Sequence, residues 1–263
     1  MNRIEARLKE LKQKKQKAFI TYMTAGLPDF TKMKEMIRIQ EEAGLDIIEL
    51  GIPFSDPVAD GPVIQAASYK AICQGVNLSK VFSAMKEMRE EGINIPIVFM
   101  LYYNTVLHFG VEAFVEACTK NGVDGLIIPD LPLEEQDEIR NFLNYGEAPI
   151  LIQLVSPVSA ERIPKILKEA RGFVYCVSSM GVTGQEAEFY RSVEAYLRSV
   201  KAETNLPVMM GFGIRKASDV SGLKDMLDGV IVGSHLIRRM EESAYDLEVL
   251  KEYCSSFRRE LNA

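Results

Sequence analysis

The chain has 263 residues, of which 47% are hydrophobic and 26% are charged, and its formal net charge at pH 7 is −6. This length is typical of a single (β/α)8 barrel, and the composition is that of a globular protein with a large core. An acidic chain lacks the basic surface that nucleic-acid binding needs, so we expect no nucleic-acid ligand. Because no window approaches 18 uninterrupted apolar residues, we expect no membrane span either.

The N-terminus and the cysteines indicate a cytoplasmic protein. Residues 1–7 contain no apolar run of the kind that a secretory signal needs. The cysteines are far apart and form no Cys-x-x-Cys pair: Cys73, Cys118, Cys176 and Cys254. We therefore expect reduced cysteines that mostly serve packing. The chain has two histidines and no Cys/His cluster, so we expect no metal site.

Eight short apolar runs follow one another along the chain. They begin near Ala18, Leu45, Pro96, Gly125, Pro149, Phe173, Pro207 and Gly229. Runs of this length that are rich in Ile and Val and apolar on both parities are typical of parallel strands buried on both faces. Amphipathic segments with helical spacing lie between them. The pattern predicts an α/β fold, a (β/α)8 TIM barrel in which residues 1–263 form one domain.

Extra helices are expected in addition to the barrel helices. The lysine-rich stretch from Lys9 to Lys17 alternates with leucines and predicts the solvated face of an N-terminal helix. The long gap between the second and third runs predicts an additional helix from Leu78 to Glu90. Apolar spacing predicts another helix over residues 163–170, and Asp29 offers a helix start. Three glycines offer helix stops: Gly92, Gly122 and Gly146.

The second apolar run ends on a glutamate, Glu49, and leads into a loop with three prolines and two aspartates. If Ile48 and Leu50 face the helices, Ile47 and Glu49 face the barrel axis. A carboxylate at the end of an apolar strand is costly to bury, and barrel active sites lie at the C-terminal ends of strands. The strand therefore predicts a functional role for Glu49.

The stiff loop that follows can aim Asp60 back toward Glu49. Paired carboxylates in unlike surroundings commonly divide acid and base roles between them. The alternative is that Glu49 is paired with a lysine and that Asp60 caps the helix that begins at Pro62.

Three glycine-bearing turns follow the last three predicted strands, at residues 181–184, 211–214 and 233–235. Glycine lets backbone N–H groups approach an anion, and a short helix from Ser234 to Met240 would point its N-terminus at that anion. In this order the turns predict a phosphate site that uses backbone N–H groups and the Ser234 hydroxyl, because no lysine lies inside them. The alternative is three ordinary tight turns. Residues 178–188 have the composition of a mobile lid, with a surface loop without function as the alternative.

The chain strongly resembles the tryptophan synthase α subunit family. The segment at residues 49–65, Glu-Leu-Gly-Ile-Pro-Phe-Ser-Asp-Pro-Val-Ala-Asp-Gly-Pro-Val-Ile-Gln, matches the most diagnostic segment of that family almost residue for residue. Further matches follow in family order and span essentially the whole chain: residues 22–26, 102–104, 124–132, 181–184, 211–214 and 233–234.

The resemblance implies a barrel that cleaves indole-3-glycerol phosphate into indole and glyceraldehyde 3-phosphate, in the last stage of tryptophan biosynthesis. This retro-aldol reaction uses no cofactor in this chain. By matched position, Glu49 is the general acid/base, and Asp60 faces the indole N–H and stabilises positive charge on the ring. Tyr175 lies near the glycerol side chain, and Thr183 closes toward Asp60 as part of the lid.

The resemblance also implies binding residues and a partner. The implied phosphate ligands are Gly184, Gly213, Gly233 and Ser234. The implied lining of the indole pocket, which by residue type alone is ordinary core, is Tyr22, Ile64, Met100, Ile127, Pro129 and Phe212. The partner is a pyridoxal-phosphate-dependent β subunit in an α2β2 heterotetramer. Candidate docking residues, unless they fold inward over the active site, are Pro53, Phe54, Pro57, Asp130 and Pro132.

A few positions depart from the family pattern. Ser179 and Met180 stand where relatives often carry Arg, Thr or Leu, and Tyr22 adds a hydroxyl to the indole pocket. His235 stands where a small residue is common, and we expect it to serve packing rather than to contact phosphate. Three other functions stay open beside the α subunit. They are a stand-alone lyase of the same family, another phosphate-binding barrel such as a sugar-phosphate isomerase, and a non-catalytic activator of β.

Overall fold

The computed structural model describes residues 1–143, 147–177, 186–211 and 213–263, with the backbone alone for residues 186–190. Within these ranges, nine parallel strands form one sheet. They are β1 Ala18–Thr24, β2 Ile47–Gly51, β3 Ile97–Met100, β4 Gly125–Ile127, β5 Ile150–Leu151, β6 Gln153–Val155, β7 Val174–Val177, β8 Val208–Gly211 and β9 Gly229–Val232.

The sheet is a nearly closed barrel. Its strand order is β5-β4-β3-β2-β1-β9-β8-β7-β6, so the two end strands are consecutive pieces of chain that are separated only by Ile152. The backbone N–H of Ile152 donates to the carbonyl oxygen of Leu126 at 2.9 Å. The fifth predicted run thus pairs with β4 through its first half and with β7 through its second. The predicted barrel is confirmed, and the ninth strand arises from this split.

Helices surround the barrel. The α-helices are α1 Arg3–Gln13, α2 Phe30–Glu42, α3 Pro62–Cys73, α4 Leu78–Glu90, α5 Tyr103–Phe109, α6 Val111–Lys120, α7 Asp137–Leu143, α8 Ile163–Leu167, α9 Glu186–Glu203, α10 Ser234–Glu242 and α11 Leu247–Leu261. Three 3-10 helices span Leu133–Glu135, Pro157–Arg162 and Ala217–Met226. No helix in the described part of the chain is long and apolar enough to cross a membrane.

The predicted extra helices are present. The additional helix α4 has the predicted bounds, and the Asp29 side chain accepts a hydrogen bond from the backbone N–H of Lys32 at the start of α2. The N-terminal helix α1 ends at Gln13, before the last lysines of the predicted stretch. Gly92 and Gly122 directly follow the C-caps of α4 and α6, whereas Gly146 lies outside the described residues.

The helix predicted over residues 163–170 is shorter than expected. It ends at Leu167, because the chain must turn before it enters β7, and the backbone N–H of Ala170 closes that turn on the Leu167 carbonyl. Of the predicted lid, residues 178–185 lie outside the described part of the chain. Residues 186–188 belong to helix α9 and not to a loop, since Glu-Ala-Glu is a favourable helix start.

The core has two layers, one inside the barrel and one between the barrel and its helices. Ile47 packs in the inner layer, whereas Ile48 and Leu50 pack in the outer one, so the predicted alternation along β2 is confirmed. Ile4 of α1 also packs in the inner layer, and a Cβ on Gly125 would lie only 2.9 Å from its Cδ1 atom. Helix α1 therefore covers the N-terminal end of the barrel and leaves the C-terminal end for a site.

Asp46 anchors the N-terminal end of the barrel, directly before β2. Its side chain is fully buried and accepts a hydrogen bond from the backbone N–H of Phe19 at 2.7 Å. Arg7 Nε donates to it at 2.9 Å, and an Arg258 guanidinium nitrogen donates at 2.8 Å. Two arginines thus compensate one buried carboxylate.

Asp124 repeats this arrangement directly before β4. It accepts hydrogen bonds from the backbone N–H of Ile97, from Arg3 and from Arg89, each at 2.9 Å. Both aspartates join the start of one strand to its neighbour, which is the stabilising role expected of polar groups at this end of a barrel.

Candidate active site

A cavity of about 440 Å³ lies at the C-terminal ends of the strands. Most of the residues that the sequence singled out line it together: Tyr22, Glu49, Asp60, Ile64, Met100, Ile127, Pro129, Tyr175, Gly213, Gly233 and Ser234. Three further predicted site residues, Thr183, Gly184 and Phe212, lie outside the described residues. The barrel therefore brings positions from both halves of the chain to one place.

Glu49 is the most deeply buried acid of this cavity, with 5% of its surface exposed. In the ladder it lies beside Tyr22 on β1 and Val98 on β3. Its Oε2 atom is buried without a hydrogen-bond partner, and it forms no ion pair with any described residue. The lysine pairing that was considered as the alternative is therefore absent from this part of the chain.

The pKa of Glu49 is raised to about 8, first by burial and second by the negative charge of Asp60. Since no cation among the described residues favours the ionised form, the side chain is largely protonated at neutral pH. A buried carboxylic acid with a free oxygen can donate a proton to a substrate and then take one back.

Asp60 is held by a tyrosine that lies two residues after strand β3. The Tyr102 hydroxyl donates to Asp60 Oδ2 at 3.0 Å, while the same hydroxyl accepts from the backbone N–H of Ala59 at 3.0 Å. The Tyr102 ring stacks on Phe54, with 5.1 Å between ring centroids. The loop after β2 is thus tied to the end of β3, and the Asp60 carboxylate is fixed at the cavity wall.

The pKa of Asp60 is raised to about 6 by burial, against which the hydrogen bond from Tyr102 lowers it. Asp60 does not cap α3, because Gly61 is the N-cap and makes no side-chain capping bond, so that alternative is wrong. At pH 7 the two acids differ in state: Glu49 is mostly neutral, and Asp60 is mostly an anion. A proton donor must be neutral and a group that stabilises positive charge must be ionised, so this difference suits two separate roles.

Two buried tyrosines, Tyr22 on β1 and Tyr175 on β7, contribute to the cavity wall. A Cβ on Gly51 would lie 2.0 Å from the Tyr22 hydroxyl oxygen, and a Cβ on Gly211 would lie 2.5 Å from that of Tyr175. Glycine is therefore needed at both strand ends to make room for the rings. Burial raises the pKa of both tyrosines, so both hydroxyls stay protonated.

The glycine-bearing turns after β8 and β9 form a second end of the cavity, which β1 separates from the Glu49 strand. Gly213, Gly233 and Ser234 line it, and helix α10 begins at Ser234. The first backbone N–H groups of a helix have no partner within the helix and carry partial positive charge, so this end of the cavity can bind an anion.

The sequence interpretation missed residues that line the cavity and one that supports it from behind Asp60. Tyr102 stood in a segment that resembled the family, but its bond to Asp60 joins positions 42 residues apart, which no local pattern reveals. Two arginines, Arg215 and Arg238, also line the cavity. Arg238 could have been found from helical spacing, because it lies four residues after Ser234 on the predicted short helix.

His235 both packs against Tyr253 and lines the cavity. Its ring centroid is 5.7 Å from that of Tyr253, as expected of a packing residue. Its pKa is lowered by burial and then by the charges of Arg239 and Arg215. The imidazole is therefore neutral at pH 7.

None of the candidate docking residues lines the cavity. Phe54 is half-buried against Tyr102, whereas Asp130 and Pro132 are exposed. The Asp130 carboxylate accepts from the backbone N–H of Tyr103 at 2.9 Å and so caps α5. The loop after β2 therefore folds partly inward, while the loop after β4 contributes Pro129 to the cavity and exposes Asp130 and Pro132.

A barrel with an acid, a carboxylate and an end that can bind an anion, all at the C-terminal ends of its strands, has the features of a phosphate-binding barrel enzyme. Among the residues described, no group of three or more His, Cys, Asp or Glu side chains could hold a metal ion.

Comparisons with known proteins specify the family. A model of the family described as "Tryptophan synthase alpha chain" matches residues 8–263. The tryptophan synthase alpha chain of Lachnospira eligens is 60% identical over 264 residues and 100% of both chains, and that of Caldanaerobacter subterraneus subsp. tengcongensis is 45% identical over 96% of this chain and 95% of its own. The solved tryptophan synthase subunit alpha from Legionella pneumophila superposes with a TM-score of 0.89 at 33% identity, covering 99% of this chain and 98% of its own.

The chain belongs to the tryptophan synthase alpha chain family. It catalyses the lyase reaction of that family, in which indole-3-glycerol phosphate is cleaved to indole and glyceraldehyde 3-phosphate.

Proposed function

We propose that Glu49 is the general acid/base of this reaction and that Asp60 is its charge-stabilising group. The observation that carries the proposal is the state of Glu49: a buried acid with one oxygen free, raised in pKa, on a cavity wall shared with a second carboxylate. The remaining residues that line the cavity support the placement of the substrate.

In the first step the Glu49 carboxyl donates its proton to indole C3 of the substrate, and the ring becomes a positively charged indolenine. In the second step the Glu49 carboxylate takes the proton of the hydroxyl next to the bond that breaks. The electrons of that O–H bond form the aldehyde C=O bond, and the electrons of the broken C–C bond return to the ring. Indole and glyceraldehyde 3-phosphate leave, and Glu49 is again protonated.

Asp60 acts on the charge that develops between these steps. The ionised carboxylate faces the indole N–H, where the positive charge of the indolenine is greatest. Because its position is fixed by Tyr102 before substrate binds, little reorganisation is needed during the reaction.

The rest of the cavity positions the substrate. Gly184, Gly213, Gly233 and Ser234 bind the phosphate, which is supported by the helix start at Ser234. The indole ring lies against the apolar wall that the described cavity residues share: Tyr22, Ile64, Met100, Ile127 and Pro129. By matched position, we also assign Phe212 to indole binding, and Tyr175 and Thr183 to support of the reacting side chain.

We also propose that the chain works in the cytoplasm, docked on a pyridoxal-phosphate-dependent β subunit in an α2β2 heterotetramer. Two valines next to the barrel mouth support a docking surface: Val58 is 83% exposed, and Val158 is 96% exposed. Pro53, Phe54, Pro57, Asp130 and Pro132 lie in the loops nearby. A solved structure titled tryptophan synthase from M. tuberculosis resembles this chain with a TM-score of 0.87 at 30% identity, covering 99% of both chains.

The first experiment measures indole release from indole-3-glycerol phosphate by the purified chain, with and without a tryptophan synthase β subunit. Slow release alone that rises steeply with β supports the docked enzyme. Fast release alone contradicts the need for docking and supports a stand-alone lyase. No release in either condition overturns the proposed substrate, although the barrel and the anion-binding end would remain.

A further inference from the structure

The charged residues that line the cavity are segregated. In the described part of the lining, the acids Glu49 and Asp60 belong to the β2 side, whereas Arg215, His235 and Arg238 follow β8 and β9. Strand β1 separates β2 from β9, and two interstrand spacings of about 4.8 Å place these two strands roughly 10 Å apart. A molecule that spans the cavity therefore meets carboxyl groups at one end and cations at the other.

Arg238 is placed for a ligand by helix geometry. It lies one turn after Ser234 on α10, so the two side chains share one face of the helix, and both line the cavity. The helix is fixed to the barrel through its buried residues Leu236, Ile237 and Met240. The Arg238 side chain makes no ion pair or hydrogen bond with any described residue. Among the described residues, nothing therefore occupies the guanidinium donors that an anion would use.

Arg215 approaches the same end from the turn after β8. It lies two residues after Gly213, and its carbonyl oxygen accepts a hydrogen bond from the Tyr253 hydroxyl at 2.8 Å, which holds the backbone in place. Its side chain is 69% exposed and lies 3.8 Å from Asp219, a weak contact at such exposure. Because the neighbouring His235 is neutral at pH 7, the positive charge of this end rests on the arginines.

We propose that Arg238, assisted by Arg215, determines specificity for the phosphate group of the substrate. The proposal rests on the proposed function, and it adds side-chain charge to a site that the sequence assigned to backbone N–H groups and one hydroxyl. A guanidinium binds a phosphate through two parallel hydrogen bonds, which neutral donors do not offer. The segregation of charge also orients the substrate, because a reversed molecule would place its phosphate beside the anionic Asp60.

The test compares the full-length variants R238Q, R215Q and R238K with the unaltered chain. Titration calorimetry at low and high salt measures the dissociation constants of two probes, glycerol 3-phosphate and indole. Steady-state kinetics with the β subunit present give KM and kcat for indole-3-glycerol phosphate. The matched control is R259Q, because Arg259 is an exposed arginine on α11 that does not line the cavity.

We expect R238Q to raise the dissociation constant of glycerol 3-phosphate and the KM by about tenfold, which is ~1.4 kcal/mol. Indole affinity should not change, kcat should change far less than KM, and the salt dependence of glycerol 3-phosphate binding should weaken. R238K should recover part of the loss, R215Q should show a smaller loss, and R259Q should show none.

Equal glycerol 3-phosphate affinity in R238Q and the unaltered chain would overturn the role of Arg238 and leave the proposed function intact. An equal loss in R259Q would overturn it as well, because the effect would then be one of overall charge. If the unaltered chain bound no glycerol 3-phosphate and released no indole, the proposed function would fail together with this inference.

Discussion

The two ends of the barrel treat buried carboxyl groups in opposite ways. At the N-terminal end, Asp46 and Asp124 are each bonded to two arginines and one backbone N–H group. At the C-terminal end, Glu49 has no cation beside it among the described residues, and Asp60 accepts a hydrogen bond from one tyrosine hydroxyl. The same sheet supports both ends, and the acids are comparably buried except for Asp60, which is partly exposed.

The difference separates buried acids that are satisfied by partners within the fold from buried acids that we propose take part in the reaction. A paired and hydrogen-bonded carboxylate is already satisfied, and removing its charge leaves arginines without partners. An acid without a cation keeps a raised pKa and an oxygen free for a ligand, at a cost in stability once it ionises. The following predictions test whether this division holds.

The largest effect is expected from E49Q. This variant keeps the volume and removes the proton donor, so kcat for indole release should fall by about 10³-fold. Indole release with β present measures the rate, and thermal unfolding shows whether the fold is intact. The control is E42Q, at an exposed position at the end of α2. Normal turnover by E49Q would refute the proposed acid/base.

D60N is expected to reduce kcat by about 10²-fold, because the lost charge matters most when the ring is positively charged. Substrate affinity should change much less. Steady-state kinetics separate the two quantities, and a variant whose only defect is a higher KM would show that Asp60 serves binding instead.

At the other end of the barrel, D124N should lower the free energy of unfolding by about 3 kcal/mol, because Arg89 is left buried with a weaker partner. Indole release per folded molecule should not change. Urea unfolding measures the first quantity. The control E87Q removes an exposed ion pair with Lys34 and should cost less than about 1 kcal/mol. A large loss of kcat in D124N would contradict the view that the acids at the N-terminal end serve stability alone.

The pH dependence of stability should differ between the unaltered chain and E49Q. The pKa of Glu49 rises from 4.5 to about 8 on folding, so its contribution to stability is fully present below pH 4.5 and is lost as the pH rises toward 8. Glutamine does not titrate. The free energy of unfolding of E49Q should therefore rise relative to that of the unaltered chain between pH 4.5 and 8. At pH 9 it should be higher by about 2 kcal/mol or more. Parallel stability curves would contradict the raised pKa.

The smallest effect is expected from Y102F. Without its hydroxyl, the pKa of Asp60 should rise above its value of about 6, because the bond that favours the ionised form is gone. The acidic limb of kcat/KM should move upward by about 0.5 to 1 pH unit. The matched control is Y103F, since the Tyr103 hydroxyl bonds to Glu138 outside the cavity. An unmoved limb in Y102F would mean that another group controls it.

The sequence by itself determined the parts of this protein that depend on local pattern. Eight apolar runs predicted the strands of the barrel, and alternation along β2 placed Glu49 on the axis. Side-chain capping placed the start of α2 at Asp29, and spacing placed α4. These inferences succeeded because strand and helix periods repeat within a few residues, so that neighbours in sequence report on burial directly.

Only the tertiary structure decided the protonation states of Glu49 and Asp60 and which residues join them at the cavity. The bond from Tyr102 to Asp60, the free oxygen of Glu49 and the arrival of Arg215 and Arg238 at one cavity all follow from closure of the barrel. A pKa depends on the groups that surround a side chain in space, and those groups come from strands far apart in sequence. The sequence therefore shows which residues are candidates for the reaction, and the closed barrel sets the charge of each one.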